Sequence, residues 1–346
     1  MATIRVLHLV GSSYNDFYYE LSCRNARCNL NMIPNLPLFQ DSQIALITLD
    51  GYWRFPPTLK LEDIDASKPM PLSEAIQFMT TEKIDLVMPH MYCIPGMTHY
   101  RALFDLLKIP YMGNSSDVMA IAAHKGRTKA IVAAAGVKVP FGELLRRGDA
   151  PTLPPPAIVK PAYGDNSLGM CLVKQTAEYE TALKTAFEHA DEVIVETFIQ
   201  PGREVRSGII VKDGQLIALP LEEYAIDQHE RPIRTHAEKF PELDADGKFQ
   251  GWPKDSIQRY WIVDVNDPIT GKVQEIAKKC HMALGCRHYS AFDFRIDPSE
   301  EPWLLEAGLY CSFDGGGGIP YMAKAAGISL DELSTIMIKE TLNMSL

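Results

Sequence analysis

The sequence has no apolar run of the roughly 18–20 residues that a membrane-spanning helix requires. The run from Val6 to Val10 is interrupted by His8 and is too short for a secretory signal. An excess of positive charge is also missing, since the 346-residue chain carries a net charge of −10. An acidic chain without a basic patch repels phosphate backbones. We therefore expect neither a membrane nor a nucleic acid as a partner.

Cysteine is sparse and forms no recognisable framework. The seven cysteines are odd in number and scattered, which suits the reducing cytoplasm better than a disulfide-linked secreted domain. The nucleophile motif of α/β-hydrolases, the zinc-peptidase motif and the dinucleotide-binding glycine motif do not occur in their structural contexts. The length suits two or three domains of about 100–150 residues each.

The first hundred residues alternate between short apolar runs and helical patterns. Ile4 to Val10, Ile44 to Leu49 and Asp85 to Pro89 read as buried strands, and Ser73 to Met79 has helical spacing. Such alternation is typical of a parallel sheet that is covered on both faces. It predicts an α/β domain over residues 1–115, closed by a last short strand at 109–113.

The remainder reads as two α+β units, over residues 116–204 and 205–346. The second unit contains a polar, irregular stretch within 224–264, and connections of that length are usually functional lids. The predicted helices cover 117–136, 178–190, 268–284 and 330–342. The predicted strands cover 157–161, 170–173, 192–198, 205–211 and 215–219, the last two forming a hairpin about Asp213-Gly214.

The most informative segment is a second hairpin, from Tyr289 to Gly308. Folding it about the Ser299–Glu300 midpoint places Asp293 directly opposite Glu306. The same register places Phe292, Phe294 and Ile296 opposite Ala307, Leu305 and Trp303, and places Leu304 beside Glu306. Two adjacent carboxylates repel unless a cation such as Mg²⁺ lies between them. The alternative is two solvated acids on an exposed face, and this segment alone does not decide between them.

A second pattern combines a strand with a polar loop. Ile158 and Lys160 share one strand face, where they could contact a base and a phosphate. The loop from Gly164 to Gly169 could bring backbone N–H groups onto phosphates. Taken alone, the pattern also fits an ordinary hairpin.

In combination and in order, these motifs resemble the ATP-grasp ligases, and specifically the D-alanine–D-alanine ligase group. The resemblance implies an α/β N-terminal domain and two α+β units that enclose ATP and Mg²⁺. It implies phosphate lysines at Lys125 and Lys160, Asp293 and Glu306 as metal ligands, and catalytic roles for Ser167 and Lys239. The implied ATP-binding residues are Lys125, Ile158, Lys160, Ser167, Met170, Glu196, Thr197, Phe198, Ile199, Glu204, Lys239 and Leu305.

Three positions depart from the pattern of that group. Gly308 replaces an asparagine after the second carboxylate, and Ala291 replaces an arginine before the aspartate. Gly317 falls where a serine receives the carboxylate of the second D-alanine. The departures imply that ATP activation is retained while the dipeptide-forming pocket is rebuilt.

Four runs are similar to the ligases of mycosporine-like amino acid biosynthesis in cyanobacteria: Leu9–Ser12, Asn15–Tyr18, Cys93–Thr98 and Leu305–Phe313. This resemblance implies ATP-dependent attachment of an amino acid, such as L-serine or L-threonine, to mycosporine-glycine. Family analogy implies a homodimer. The alternatives are a dipeptide ligase of altered specificity and an ATP-binding protein without ligase activity. The expected substrate residues are Glu20, Tyr92, Tyr310, Ser312 and Gly317.

Overall fold

The computed structural model describes residues 4–32, 39–164, 167–227, 232–234, 260–313 and 317–343. Its strands are β1 (Ile4–Gly11), β2 (Phe39–Ile47), β3 (Trp53–Arg54), β4 (Leu86–Pro89), β5 (Gly142–Arg146), β6 (Ala157–Pro161), β7 (Cys171–Val173), β8 (Glu192–Thr197), β9 (Arg203–Lys212), β10 (Gln215–Ala218), β11 (Glu222–Tyr224), β12 (Tyr260–Ile262), β13 (Tyr289–Ile296) and β14 (Pro302–Gly308). Its helices are α1 (Asp16–Met32), α2 (Leu61–Ala66), α3 (Leu72–Thr81), α4 (Ile94–Met97), α5 (His99–Leu107), α6 (Ser116–Ala122), α7 (Lys125–Ala134), α8 (Tyr179–Phe187), α9 (Pro268–Leu284), α10 (Gly318–Ala325) and α11 (Leu330–Leu342). Across these ranges, no helix has both the length and the apolar character needed to cross a bilayer.

The N-terminal sheet has the strand order β3-β2-β1-β4, and β1 runs parallel to both β2 and β4. The predicted parallel arrangement is therefore confirmed. Leu7 and Leu9 are fully buried among side chains from α3 and α5, whereas Val10 packs towards α1 on the other face. The predicted strand at 109–113 is reduced to a bridge between Val87 and Tyr111, because only these residues meet in register.

The predicted helix over 117–136 is divided into α6 and α7. The break falls at His124, whose side chain accepts a hydrogen bond from the Arg127 N–H and caps α7. The Lys125 N–H donates to the carbonyl oxygen of Ala162, at the end of the neighbouring sheet. The break therefore places Lys125 in the first turn of a helix, next to the central sheet.

The central sheet is antiparallel, in the order β5-β8-β6-β7, and α8 packs against it. Its strands β6, β7 and β8 confirm the predicted ones, whereas β5 was not predicted. Val159, Val193 and Val195 are fully buried against Ala182 and Phe187 of α8. The opposite face of β6 presents Ile158 and Lys160 away from this core.

The C-terminal sheet has the order β12-β11-β9-β13-β14, with β10 paired to β9. The β9–β10 hairpin turns at Asp213 and Gly214, both at positive φ, as a two-residue turn requires. The predicted lid contains strand at both ends, because β11 ends at Tyr224 and pairs with β12. Residues 228–231 and 235–259 of that lid lie outside the described residues.

The carboxylate hairpin contains a β-bulge that the sequence register did not predict. Asp293 does pair with Glu306, but Phe294 then pairs with Leu304 rather than Leu305. The register shift leaves Leu305 as the extra residue of β14. Leu304 is consequently fully buried in the core, not beside Glu306, and Leu305 faces the cavity described below.

The N-terminal sheet is joined to the C-terminal one by a buried asparagine. Asn114 Nδ2 donates to the carbonyl oxygens of Tyr289, at 3.0 Å, and Leu309, at 2.8 Å. The Arg287 N–H donates to Asn114 Oδ1 at 2.8 Å. These bonds fix the start of β13 and the chain after β14 relative to the N-terminal sheet.

Candidate active site

A cavity of about 810 Å³, partly open to solvent, lies between the central and C-terminal sheets. The structure brings together at this cavity all the predicted ATP and metal residues that it describes. Lys239 lies outside the described residues. The predicted residues that line the cavity are Lys125, Ile158, Lys160, Ser167, Met170, Glu196, Thr197, Phe198, Ile199, Glu204, Asp293, Leu305 and Glu306.

Lys125 stands at one end of this cavity. Its Nζ contacts the carbonyl oxygen of Gly164 and lies 3.7 Å from Glu306 Oε1. Gly164 and Ser167 both have positive φ, and both line the cavity. A lysine in the first turn of a helix, beside a loop of this kind, is suited to contact phosphate oxygens.

Lys160 belongs to a buried group of three charges. Lys160 Nζ lies 2.9 Å from one oxygen of Glu196, and Lys129 Nζ contacts the other. Burial alone would raise the pKa of the Glu196 carboxyl, but the two ammonium groups outweigh it and lower this pKa to about 2. Burial lowers the pKa of Lys129 to about 7, against the opposing effect of Glu196.

Glu204, the predicted ribose carboxylate, is held by two arginines. Arg295 Nη2 lies 2.7 Å from Glu204 Oε2, and Arg234 Nη1 lies 3.3 Å from Oε1. Arg295 Nη1 also donates to the carbonyl oxygen of Ile199, at 3.2 Å. Arg295 therefore orders the end of the cavity that contains Phe198 and Ile199.

Asp293 and Glu306 lie side by side on β13 and β14, as predicted. Arg206, directly across from Asp293 on β9, binds both of its oxygens, with Nε–Oδ1 at 2.6 Å and Nη2–Oδ2 at 2.9 Å. Within the described residues, no three metal-ligating side chains cluster. Mg²⁺ is usually held by one or two carboxylates together with substrate phosphates. Two carboxylates beside Lys125 fit that mode of binding.

A second and larger cavity, of about 1410 Å³ including open space, adjoins the first. It lies where the N-terminal, central and C-terminal sheets approach one another. The two cavities share Lys125, Pro161, Gly164, Leu168 and Glu306. A molecule in the second cavity can therefore meet the phosphate end of the first.

Aromatic rings form much of the wall of this second cavity. Tyr14, just before α1, and Phe17 and Tyr18, at its start, form edge-to-face pairs, with ring centroids 5.8 Å and 5.3 Å apart. Tyr163 and Tyr310 line the cavity from the central and C-terminal units. Tyr14 is 60% exposed and Phe17 is 44% exposed. These rings give part of the cavity wall an apolar surface.

Of the predicted substrate residues, only Tyr310 lines this cavity. Tyr92 is buried behind it, with the two ring centroids 5.6 Å apart. Glu20, Tyr92, Ser312 and Gly317 line neither of the two cavities. A Cβ atom at position 317 would lie 2.2 Å from the carbonyl oxygen of Ser312, so the backbone there fits glycine.

The sequence analysis missed two residues of the site, Arg206 and Lys129. Arg206 shares a strand face with Glu204, and Lys129 follows Lys125 by one helical turn. Both spacings are visible in the sequence, but neither residue belongs to a recognised motif. Phe17 and Tyr18 belong to the run Asn15–Tyr18 that carried the resemblance, but the sequence alone does not give their place in the cavity wall.

The comparisons with known proteins agree with this geometry. The family model for the D-Ala–D-Ala ligase C-terminus matches residues 149–339. A D-alanine–D-alanine ligase of Flavobacterium johnsoniae is 28% identical over 288 residues, covering 80% of this chain and 84% of that protein. One of Nitrosomonas europaea is 32% identical over 234 residues, covering 66% and 70%. The solved structure of the VanG D-Ala:D-Ser ligase of Enterococcus faecalis has a TM-score of 0.78 at 24% identity, covering 98% of this chain and 99% of that one.

The chain therefore belongs to the D-alanine–D-alanine ligase family and has the ATP-grasp fold. It is an ATP-dependent ligase of this type, and ATP and Mg²⁺ are its cofactors. The predicted fold class is confirmed. The acceptor that it ligates and the roles of its individual residues are not fixed by membership of the family.

Proposed function

We propose that the protein joins the amino group of an amino acid, L-serine or L-threonine, to mycosporine-glycine. The observation that carries this proposal is the aromatic wall of the second cavity. A planar unsaturated ring can stack on the faces of Phe17, Tyr14 and Tyr310. The ring would then present its oxygen at Lys125 and Glu306, where the two cavities meet.

The three sequence departures support the same acceptor. Ala291 and Gly308 pair with each other on β13 and β14, two residues from the Asp293–Glu306 pair. This place therefore carries neither the arginine nor the asparagine of the resembled pattern. Gly317 is packed against backbone and offers no hydroxyl. A pocket without these groups suits an acceptor other than D-alanine.

In this proposal, Lys125 and Lys160 bind the phosphates of ATP and orient the γ-phosphate towards the second cavity. Glu196 to Ile199 form the adenine edge of the cavity, and Glu204 binds the ribose. Asp293 and Glu306 hold Mg²⁺, which when bound neutralises charge on the transferring phosphoryl group. Ser167 lies in the loop over the phosphates, and the sequence resemblance assigns Lys239 to the γ-phosphate. The units 1–115, 116–204 and 205–346 are the domains that we assign to this arrangement.

The proposed reaction transfers the γ-phosphoryl group to the ring carbonyl oxygen and releases ADP. The amine then attacks the ring carbon, and the C–O bond breaks as phosphate leaves with the ring oxygen. Loss of the amine proton gives the imine. The products are an imino-mycosporine, such as shinorine or porphyra-334, ADP and phosphate.

The test is ADP release in the presence of Mg²⁺, across a panel of amino acids, with and without mycosporine-glycine. We expect ADP only when mycosporine-glycine and an amino acid are both present, with product absorption at longer wavelength. Turnover with amino acids alone would contradict the proposal and indicate a dipeptide ligase of altered specificity. ATP binding without turnover under any condition would indicate an ATP-binding protein that has lost ligase chemistry.

A further inference from the structure

Lys129 is a buried cation near the first cavity, called the ATP cavity from here on, and it reaches this cavity only through other side chains. It lies one turn after Lys125 on α7, but its Nζ contacts Glu196 rather than the cavity. Glu196 and Lys160 line the cavity, whereas Lys129 is not among the lining residues. Lys129, Glu196 and Lys160 are each less than 9% exposed. Interactions among these three charges are therefore weakly screened by solvent.

We propose that Lys129 is a positioning residue of the ATP site, which keeps Lys160 available for phosphate by sharing the Glu196 carboxylate with it. This inference rests on the phosphate-binding role proposed for Lys160. Each ammonium group takes one oxygen of the same carboxylate. The group of three carries a net charge of +1, and that excess charge can act on an anion in the cavity.

Removal of Lys129 takes away one of the two lysines that contact Glu196. Both carboxylate oxygens then become available to Lys160, and the remaining pair has no net charge. Lys160 is drawn towards Glu196 and away from the phosphates. ATP should therefore bind more weakly. Adenosine has no phosphate and meets Glu196 only at the adenine edge, so it should lose less affinity than ATP.

The charge of Lys129 adds a dependence on pH. Glu196 and Lys160 are the charged groups that act on it, and Glu306 acts in turn on Lys160. Burial lowers the pKa of Lys129 to about 7. Below this pH the group of three is positive, and above it the group is neutral, as in a variant that lacks the lysine. The difference between wild type and that variant should therefore shrink as the pH rises through 7.

The experiment measures dissociation constants for Mg·ATP and for adenosine by calorimetry at pH 6.5. Lys129→Met should weaken ATP binding about tenfold, which corresponds to about 1.4 kcal/mol, because Lys160 is drawn away from the phosphates. Adenosine binding should weaken by at most about threefold, since its adenine meets Glu196 but it has no phosphate for Lys160. Lys129→Gln, which keeps a hydrogen-bond donor and provides a second variant should the first fail to fold, should weaken ATP binding by a smaller factor. The matched control is Lys184→Met, an exposed lysine on α8, which should bind both ligands like wild type.

A double-mutant cycle separates positioning from general support of the fold. In a Lys160→Met background, Lys129→Met should cause no further loss of ATP affinity. With Lys160 present, the difference in ATP affinity between wild type and Lys129→Met should shrink as the pH rises towards 8.5. Equal losses for ATP and adenosine would overturn the inference, as would the full Lys129 effect without Lys160. If Lys160→Met itself bound ATP like wild type, the proposed phosphate site would be wrong, and the inference would fall with it.

Discussion

The two cavities that meet at Lys125 and Glu306 are built in different ways. In the ATP cavity, charged side chains are held by specific partners: Glu196 by two lysines and Glu204 by two arginines. In the second cavity, aromatic rings from separate segments form much of the wall. In the proposed function, phosphate binding would depend on few residues at fixed places, and acceptor recognition on a shape assembled from several segments of the fold.

The largest expected effect on activity comes from Glu306, one of the residues that line both cavities. Glu306→Gln removes a charge with little change of shape, and we expect ADP release to fall about a thousandfold because a charge-stabilising group is lost at the phosphoryl group. Thermal unfolding should be unchanged. The measurement is steady-state ADP release against Mg²⁺ concentration, with Glu300→Gln, an exposed acid of the same hairpin, as the matched control. Wild-type turnover in Glu306→Gln would refute the metal assignment.

A second change tests the ATP side alone. Lys239→Ala should reduce kcat about a hundredfold, with a smaller effect on ATP affinity, if this lysine acts mainly on the transferring phosphoryl group. Single-turnover ADP formation and equilibrium ATP binding measure the two quantities separately. Equal losses in both would instead indicate a simple binding role.

A third change tests the aromatic side alone. Phe17→Ala should raise the KM for mycosporine-glycine about tenfold through loss of ring contact, while the KM for ATP stays within twofold. The matched control is Phe141→Ala, because Phe141 is 72% exposed and lines neither of the two cavities. A parallel rise in both KM values would show that α1 supports the fold rather than the acceptor.

The smallest expected effect concerns the stability of the N-terminal sheet and its surroundings rather than either cavity. His8 and His90 are buried together, with Nδ1 and Nε2 2.9 Å apart, and burial lowers the pKa of His8 to about 3. The unfolded chain therefore binds more protons than the folded one between pH 6.5 and 3. The neutral histidines contribute stability above pH 6.5, which is lost as the pH falls.

We expect the midpoint of thermal unfolding to drop between pH 6.5 and 4.5. Glu196, whose pKa is about 2, stays ionised in the folded chain, and its loss of stability begins only as the pH approaches the ordinary carboxyl value near 4.5. His8→Gln should reduce the slope of the free energy of unfolding against pH by at most about 1.4 kcal/mol per pH unit. An identical slope in that variant would show that other groups account for the acid sensitivity.

Much of the fold could be predicted from local signals. The helix from Pro268 to Leu284 begins at a capping aspartate and ends before Gly285, which has positive φ, so its bounds were readable. The bulge at Leu305 was not readable, because both registers place apolar residues in the core, and only tertiary packing chooses between them. The break at His124 depends equally on a partner in the neighbouring sheet, the carbonyl oxygen of Ala162.

The same division applies to the candidate site. The residues that the resemblance assigned to ATP line the first cavity wherever the structure describes them, whereas Pro140 and Arg234 line it without having been named. Glu20 and Gly317 stay predictions as substrate residues and line neither of the two cavities, since position along the chain does not reveal which way a helix or a loop faces. Phe17 and Tyr18 belong to a run that carried the resemblance, but only the fold places them beside the central unit.

The most direct test of the account follows the ring oxygen. Mycosporine-glycine labelled with ¹⁸O at its ring carbonyl is converted with L-serine, Mg²⁺ and ATP, and the released phosphate is analysed by mass spectrometry. The account predicts one ¹⁸O atom in each phosphate, in step with formation of ADP and the imino product. Turnover that leaves the phosphate unlabelled would contradict it.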